Sequence, residues 1–95
     1  MKNPLKEEVF IAGATRTPIG KFSGLLSNTP ATKLGALVLS SSIDRSNISK
    51  EKIDYVILGN MLSAGLGQTP ARQASIQSGI PVTTPALTIN KACAS

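Results

Sequence analysis

Tyr55-Val56-Ile57-Leu58-Gly59-Asn60 is an apolar run of strand length closed by a glycine and an asparagine. A short run without polar alternation is what a strand buried on both faces looks like, and such strands belong to parallel sheets. Met61 to Gln68 follows, contains Gly65 and Gly67, and reads as a loop on the exit side of that strand. Thr69-Pro70 then joins a capping hydroxyl to a proline pre-set for the first helical position, and Ala71, Ala74, Ile76 and Gln77 continue a helix over 70–78. Gly79 should close it in the left-handed conformation, and Pro81 blocks extension. Pro85 opens a further run, Ala86-Leu87-Thr88-Ile89-Asn90, which reads as another strand over 86–90.

The same alternation extends upstream. Thr29-Pro30 repeats the cap-then-proline device, and Leu34, Leu37, Val38 and Ser41 recur at helical spacing, predicting a helix over 30–43. Ser49 is placed to cap one short turn through Lys52. Val9 to Ala14 is again continuous and apolar, with charge before it and Arg16-Thr17-Pro18 after it, so it reads as the first strand, followed by a loop over 16–29. Strand, helix, strand, helix, strand in that order predicts an α/β fold with a parallel sheet and right-handed crossovers. Two helices linking successive strands in one direction lie on one face of the sheet, which leaves the other face bare. The 95 residues are therefore expected to be the first part of a larger domain.

Composition narrows the function classes. A 95-residue chain that is 41% hydrophobic and 16% charged is one small domain or part of one, and its composition is not that of a disordered segment. One Tyr, two Phe and no Trp leave almost nothing on which the bases of a single-stranded nucleic acid would stack. A single cysteine, Cys93, and no histidine exclude an intramolecular disulfide and a Cys/His zinc site, and no metal site is expected. The net charge of +5 is spread along the chain with acidic residues interspersed, as on a solvated surface, so neither nucleic acid nor a membrane is expected as a partner. No apolar stretch approaches the roughly 18 residues of a membrane span, and Lys2 and Lys6 are followed by Glu7 and Glu8 instead of a secretory apolar core. The expected compartment is the cytoplasm, with a mitochondrial matrix form already relieved of its transit peptide as the alternative. Asn47-Ile48-Ser49 matches a glycosylation pattern that, without an export signal, has no consequence.

Three places invite a chemical reading. Gly65-Leu66-Gly67-Gln68-Thr69 sits between strand and helix where a phosphate-binding loop would be, but it lacks the third glycine of the dinucleotide fingerprint and the Gly-Lys-Ser/Thr of the triphosphate loop, which leaves a tight turn. Arg72 has the wrong sign for the first turn of a helix, so either an ion pair or a loop carbonyl holds it, or it supports a site or a subunit contact on the exit side of the sheet; Arg16 and Lys21 have the same two readings. Cys93 follows the last strand, at the carboxyl end of the sheet where open α/β folds place their sites, in the small-residue turn Ala92-Cys93-Ala94-Ser95. A lone cysteine is ordinarily a small buried hydrophobe; here a helix beginning at the turn would favour a thiolate and a developing oxyanion. That field is worth only about 0.3 to 1 kcal/mol, so activation needs a partner base or cation, and no histidine in the chain supplies it.

Arg16-Thr17-Pro18-Ile19-Gly20-Lys21-Phe22, Gly59-Asn60-Met61-Leu62, Gly65 to Ala74, and Asn90-Lys91-Ala92-Cys93-Ala94-Ser95, in that order and spacing, resemble the opening part of a thiolase N-terminal domain. The likeness runs from about Glu8 onward and is strongest to the acetyl-CoA acetyltransferase branch; where the motif commonly has Asn before Pro70, this chain has Thr69. It implies an acetyl-CoA C-acetyltransferase that condenses two acetyl-CoA to acetoacetyl-CoA and CoA, or runs the reverse thiolysis, with Cys93 acylated as a thioester. It implies no bound cofactor, CoA thioesters being substrates, and a layered sheet of order three-two-one-four-five, with a helix on the bare face whose N-terminus carries Cys93. It also implies a homo-oligomer, dimer or tetramer, through the strand at 86–90. The activating His, the second Cys and further oxyanion-hole groups have no counterpart in these residues, so the piece alone is expected to be inactive. A non-catalytic fragment or scaffold is the alternative, and another condensing enzyme of the same fold is a further one.

Overall fold

The computed structural model describes residues 7–95, so Lys2 and Lys6 lie outside the described residues. Helix α1 spans Ala31–Ser46, a short 3-10 turn Lys50–Lys52, strand β1 Val56–Gly59, helix α2 Pro70–Gln77 and strand β2 Ala86–Ile89. The two strands pair in parallel, Val56 opposite Ala86 through Gly59 opposite Ile89, with α2 as the crossover. Strand alternation decides what each side of this sheet meets. Val56 is buried and joins Ile43 of α1 and Ile80 in the core, with Leu39, Ile53, Leu58 and Ala86 packed around it. Ile57 and Leu87 point the other way and remain 57% and 45% exposed. The right-handed crossover puts α2 on one face, α1 packs on the same face through Ile43 and Gly35, and the opposite face is open among the described residues.

The two helices approach each other closely because their contact residues are small. A Cβ on Gly35 of α1 would stand 3.2 Å from the Ala74 Cβ of α2 and 3.4 Å from the Leu58 Cδ1 of β1. Ala71 and Ala74 are completely buried at this seam. Ser75 is completely buried too, and its hydroxyl has no hydrogen-bond partner among the described residues. A buried hydroxyl left unpaired costs about 1–3 kcal/mol, so Ser75→Ala is expected to raise stability by about 1 kcal/mol. The check is a urea midpoint that rises at unchanged slope; a fall would mean that the hydroxyl has a partner.

Several element ends differ from the sequence reading, for local reasons. Pro30 occupies the cap position of α1 with no side-chain cap, so Thr29 does not cap as expected; Lys33 and Leu34 donate to the Pro30 carbonyl instead. The helix runs past Ile43 to Ser46 because Arg45 suits its last turn and Asn47 ends it at φ 56, a conformation asparagine tolerates. Thr69 likewise leaves α2 without a hydroxyl cap and sits at φ 39. The Ala71 N–H donates across to Thr88 Oγ1 of β2 at 2.9 Å, so the neighbouring strand supplies the cap. Ser49 heads its short turn, but its hydroxyl donates to the Glu51 carboxylate and holds that carboxyl below its ordinary pKa. Gly79 closes α2 at φ 86 as expected, with the Lys50 ammonium donating to the Ser78 carbonyl at 2.6 Å.

The principal correction concerns the first strand. Residues 9–14 form no strand, and Val9 and Ile11 are 72% and 98% exposed. Gly13 at φ 70 bends the segment, and its end is tied to α1 instead of to the sheet edge. Thr15 Oγ1 lies 3.2 Å from the Val38 carbonyl and 2.7 Å from Ser42 Oγ, and Arg45 donates to the Ala14 carbonyl at 3.1 Å. An apolar run joins a sheet with profit when both of its faces are covered, and the open face offers no such cover. The radius of gyration, 14.9 Å against about 12–13 Å for a compact domain of this length, carries the same information.

Candidate functional site

The carboxyl ends of β1 and β2 carry two loops that meet. From β1, Asn60 donates its backbone N–H to the Ile89 carbonyl at 2.9 Å, extending the ladder by one bond. Its side-chain nitrogen donates to Ser63 Oγ at 2.7 Å and to the Leu62 carbonyl at 3.3 Å, which curls the exit loop at once. From β2, the Asn90 side-chain nitrogen donates to the Met61 carbonyl at 3.3 Å, while its oxygen accepts the Ala92 N–H at 2.9 Å. The chain then tightens through two successive turns, Ala94 N–H to Lys91 O at 3.0 Å and Ser95 N–H to Ala92 O at 3.3 Å. Cys93 stands in this turn with its thiol unpaired by any disulfide and exposed.

The turn folds onto the open face of the sheet. Gly59, one register step beyond Leu58, directs its missing side chain away from the helices, and there it meets Ser95. A Cβ on Gly59 would collide with the Ser95 carbonyl carbon and stand 3.0 Å from the Ser95 Cβ. Only a residue without a side chain lets the turn lie directly against β1. Ala92, immediately before the cysteine, adopts φ 49, an unusual conformation for a residue bearing a Cβ.

Of the other sequence candidates, the glycine loop and Arg72 resolve into structural roles. Gly65 and Gly67 take φ 79 and 78 in a tight turn whose Leu66 and Gln68 carbonyls both accept from Gln73 Nε2, at 2.6 and 2.8 Å. Gln73 was visible in the sequence, but its role depends on a helix that points it back at its own leading loop. Arg72 follows the loop-carbonyl reading: Nη1 donates to the Thr84 carbonyl at 3.0 Å and Nη2 to the Val82 carbonyl at 2.8 Å. This fork braces the segment that delivers the chain into β2. Arg72→Ala is expected to cost about 1.5–3 kcal/mol, read as a lower urea midpoint, and Arg72→Lys is expected to restore little of it because an ammonium cannot span both carbonyls. Arg16 lines a shallow depression with Ala14, Thr15 and Arg45, a group that does not include the Cys93 turn.

A cavity of about 210 Å³ opens between α1, α2 and the end of β1, lined by Thr32, Gly35, Val38, Leu58, Asn60 and Ala71 among others. It is smaller than the roughly 300–1,000 Å³ of ligand pockets, and Cys93 is not part of its wall. Among the described residues no group of three His, Cys, Asp or Glu is arranged to hold a metal ion, and no helix is long and apolar enough to cross a membrane.

Comparison with known proteins bears on the same residues. The family profile described as "Thiolase, N-terminal domain" matches residues 9–95. The mitochondrial acetyl-CoA acetyltransferase of Danio rerio is 52% identical over 92 residues, 97% of this chain and 22% of that protein. Its Homo sapiens counterpart is 48% identical over 95 residues, all of this chain and 22% of that protein. The crystal structure of the Acat5 thiolase from Ascaris suum in complex with coenzyme A superposes with a TM-score of 0.82 at 48% identity, covering 84% of this chain and 21% of that one. The chain thus spans about a fifth of the length of the relatives it matches.

Proposed function

The chain belongs to the thiolase family, as part of its N-terminal domain over residues 9–95, and from that premise we propose that it carries the acyl-accepting cysteine of an acetyl-CoA C-acetyltransferase. The observation that carries the proposal is the place of Cys93: exposed, in a strained turn at the carboxyl end of the sheet, folded over its open face. Identity near 50% to acetyl-CoA acetyltransferases over the whole chain favours this branch over other condensing enzymes of the fold.

Cys93 Sγ attacks the thioester carbonyl of acetyl-CoA; the new sulfur–carbon bond forms as the bond to the CoA sulfur breaks, and the thiol proton leaves with CoA. A second acetyl-CoA, deprotonated at its methyl carbon, attacks the acetyl-cysteine; a carbon–carbon bond forms, the cysteine sulfur is released, and acetoacetyl-CoA departs. The bases for both proton transfers lie outside a chain that has no histidine and one cysteine, so these 95 residues alone are expected to be inert. No metal or bound cofactor enters either step. Among the described residues the outer edge of β2 is unpaired, which supports pairing with a second copy of the protein that would cover an edge otherwise open to aggregation. The mitochondrial relatives favour the mitochondrial compartment over the cytoplasm expected from the sequence. The test is mass spectrometry of the full-length protein after brief exposure to acetyl-CoA: an acetyl group mapped to Cys93 supports the proposal, and its absence under turnover conditions refutes it.

A further inference from the structure

We propose that Asn90 is the positioning residue of the Cys93 turn. The inference rests on the reading of Cys93 as acyl acceptor and adds to it what aims the thiol. The Asn90 carboxamide makes two bonds that do different work. Its oxygen accepts the Ala92 N–H at 2.9 Å, and Ala92 is the residue held at φ 49 immediately before the cysteine. For a residue with a Cβ the left-handed conformation is disfavoured by about 1–2 kcal/mol, so something must hold it, and a hydrogen bond to its own N–H from two residues upstream is placed to do so. The Asn90 nitrogen donates to the Met61 carbonyl at 3.3 Å, 29 residues away in the chain, and Met61 begins the loop leaving β1. One side chain therefore sets the backbone angle before the thiol and moors the turn to the neighbouring strand.

A nucleophile displaced by about 1 Å from its line of attack can lose about 100-fold in rate. The thiol is exposed and the turn is short, so its direction depends on the backbone angles at residues 91–95. Neither lysine nor alanine at 91 and 92 offers a side-chain bond that would replace the one from Asn90.

The experiment uses the full-length protein and three readouts: the single-turnover rate of Cys93 acetylation by acetyl-CoA, the rate of Cys93 alkylation by iodoacetamide, and the split of steady-state turnover into kcat and KM. Asn90→Ala is expected to slow acetylation by about 10- to 100-fold with KM changed by less than about threefold, because geometry and not binding is lost. Alkylation, which needs no oriented carbonyl, is expected to slow by less than about threefold. Adding Ala92→Gly to Asn90→Ala is expected to recover part of the acetylation rate, since glycine takes a positive φ without a Cβ penalty. Should Asn90→Ala fail to fold, Asn90→Asp, which keeps the acceptor for Ala92 and loses the donor to Met61, is read by the same three measurements with the same direction expected. Acetylation at the wild-type rate overturns the inference, as does a rise in KM at constant kcat, or equal loss in acetylation and alkylation. Wild-type protein that takes up no acetyl group overturns the acyl-acceptor reading and this inference with it; an acetylated wild type beside an equally fast variant overturns this inference alone.

Discussion

Cys93→Ala in the full-length protein is expected to lose the acetyl adduct altogether and to lower turnover by about four to six orders of magnitude, the scale on which removal of a covalent nucleophile acts. The loss should not be a folding effect. Cys93 is exposed and in no disulfide, so truncating it is expected to change stability by no more than about 0.5 kcal/mol. Cys93→Ser is expected to behave nearly as badly, since a hydroxyl ionises far less readily than a thiol at neutral pH. The decisive comparison is intact mass after acetyl-CoA beside a thermal melt of the same sample. Turnover within tenfold of wild type in a well-folded Cys93→Ala protein would remove the thioester from the mechanism.

Gly59→Ala is the second large effect, and it acts on a residue with no chemistry of its own. The added methyl would run into the Ser95 carbonyl carbon and come 3.0 and 3.1 Å from the Ser95 Cβ and Cα, and backbone cannot step aside as a flexible side chain can. The turn must lift from the sheet, and Cys93 with it, so acetylation is expected to fall about 100-fold at a stability cost of about 1–3 kcal/mol. Gly65→Ala makes a useful contrast. Nothing lies within 4 Å of its added carbon, but its φ of 79 strains any residue with a Cβ. That variant is expected to lose about 1–2 kcal/mol of stability while keeping its acetylation rate. If the two variants instead show equal losses of stability and of acetylation, contact between Gly59 and the Cys93 turn does not place the thiol.

What was legible in the sequence was whatever depends on neighbours in the chain. Val56 to Leu58 and Ala86 to Ile89 read as strands because their composition suits a covered parallel pair, and α2 read almost to the residue because Pro70 and Gly79 punctuate it. The placement of α2 followed from the handedness of its crossover; α1 lies on the same face although no strand precedes it among the described residues. What escaped depends on residues far apart: Thr88 capping α2 from 17 residues away, Asn90 reaching Met61, and Gly59 touching Ser95. Val9 to Ala14 failed for a different reason. Its pattern describes a strand whose surroundings are complete, and within the described residues Thr15, Ser42 and Arg45 draw its end onto α1 instead. Cys93 stood out by its position after the last strand, but the strain at Ala92 and the carboxamide that opposes it have no signature in composition or spacing.

The open face of the sheet also acts as a clock. In a protein the length of its relatives, these residues leave the ribosome with most of the chain, about four-fifths, still unmade. At about 5–20 residues per second, the remainder takes tens of seconds, during which Ile57, Leu87 and the run from Val9 to Ile11 have only solvent or a chaperone beside them. Strands of four residues shorten the unpaired edge available to another nascent chain over that interval. The same brevity leaves the two-stranded ladder little strength of its own, so in a protein of that length the Cys93 turn would draw its further support from residues made later.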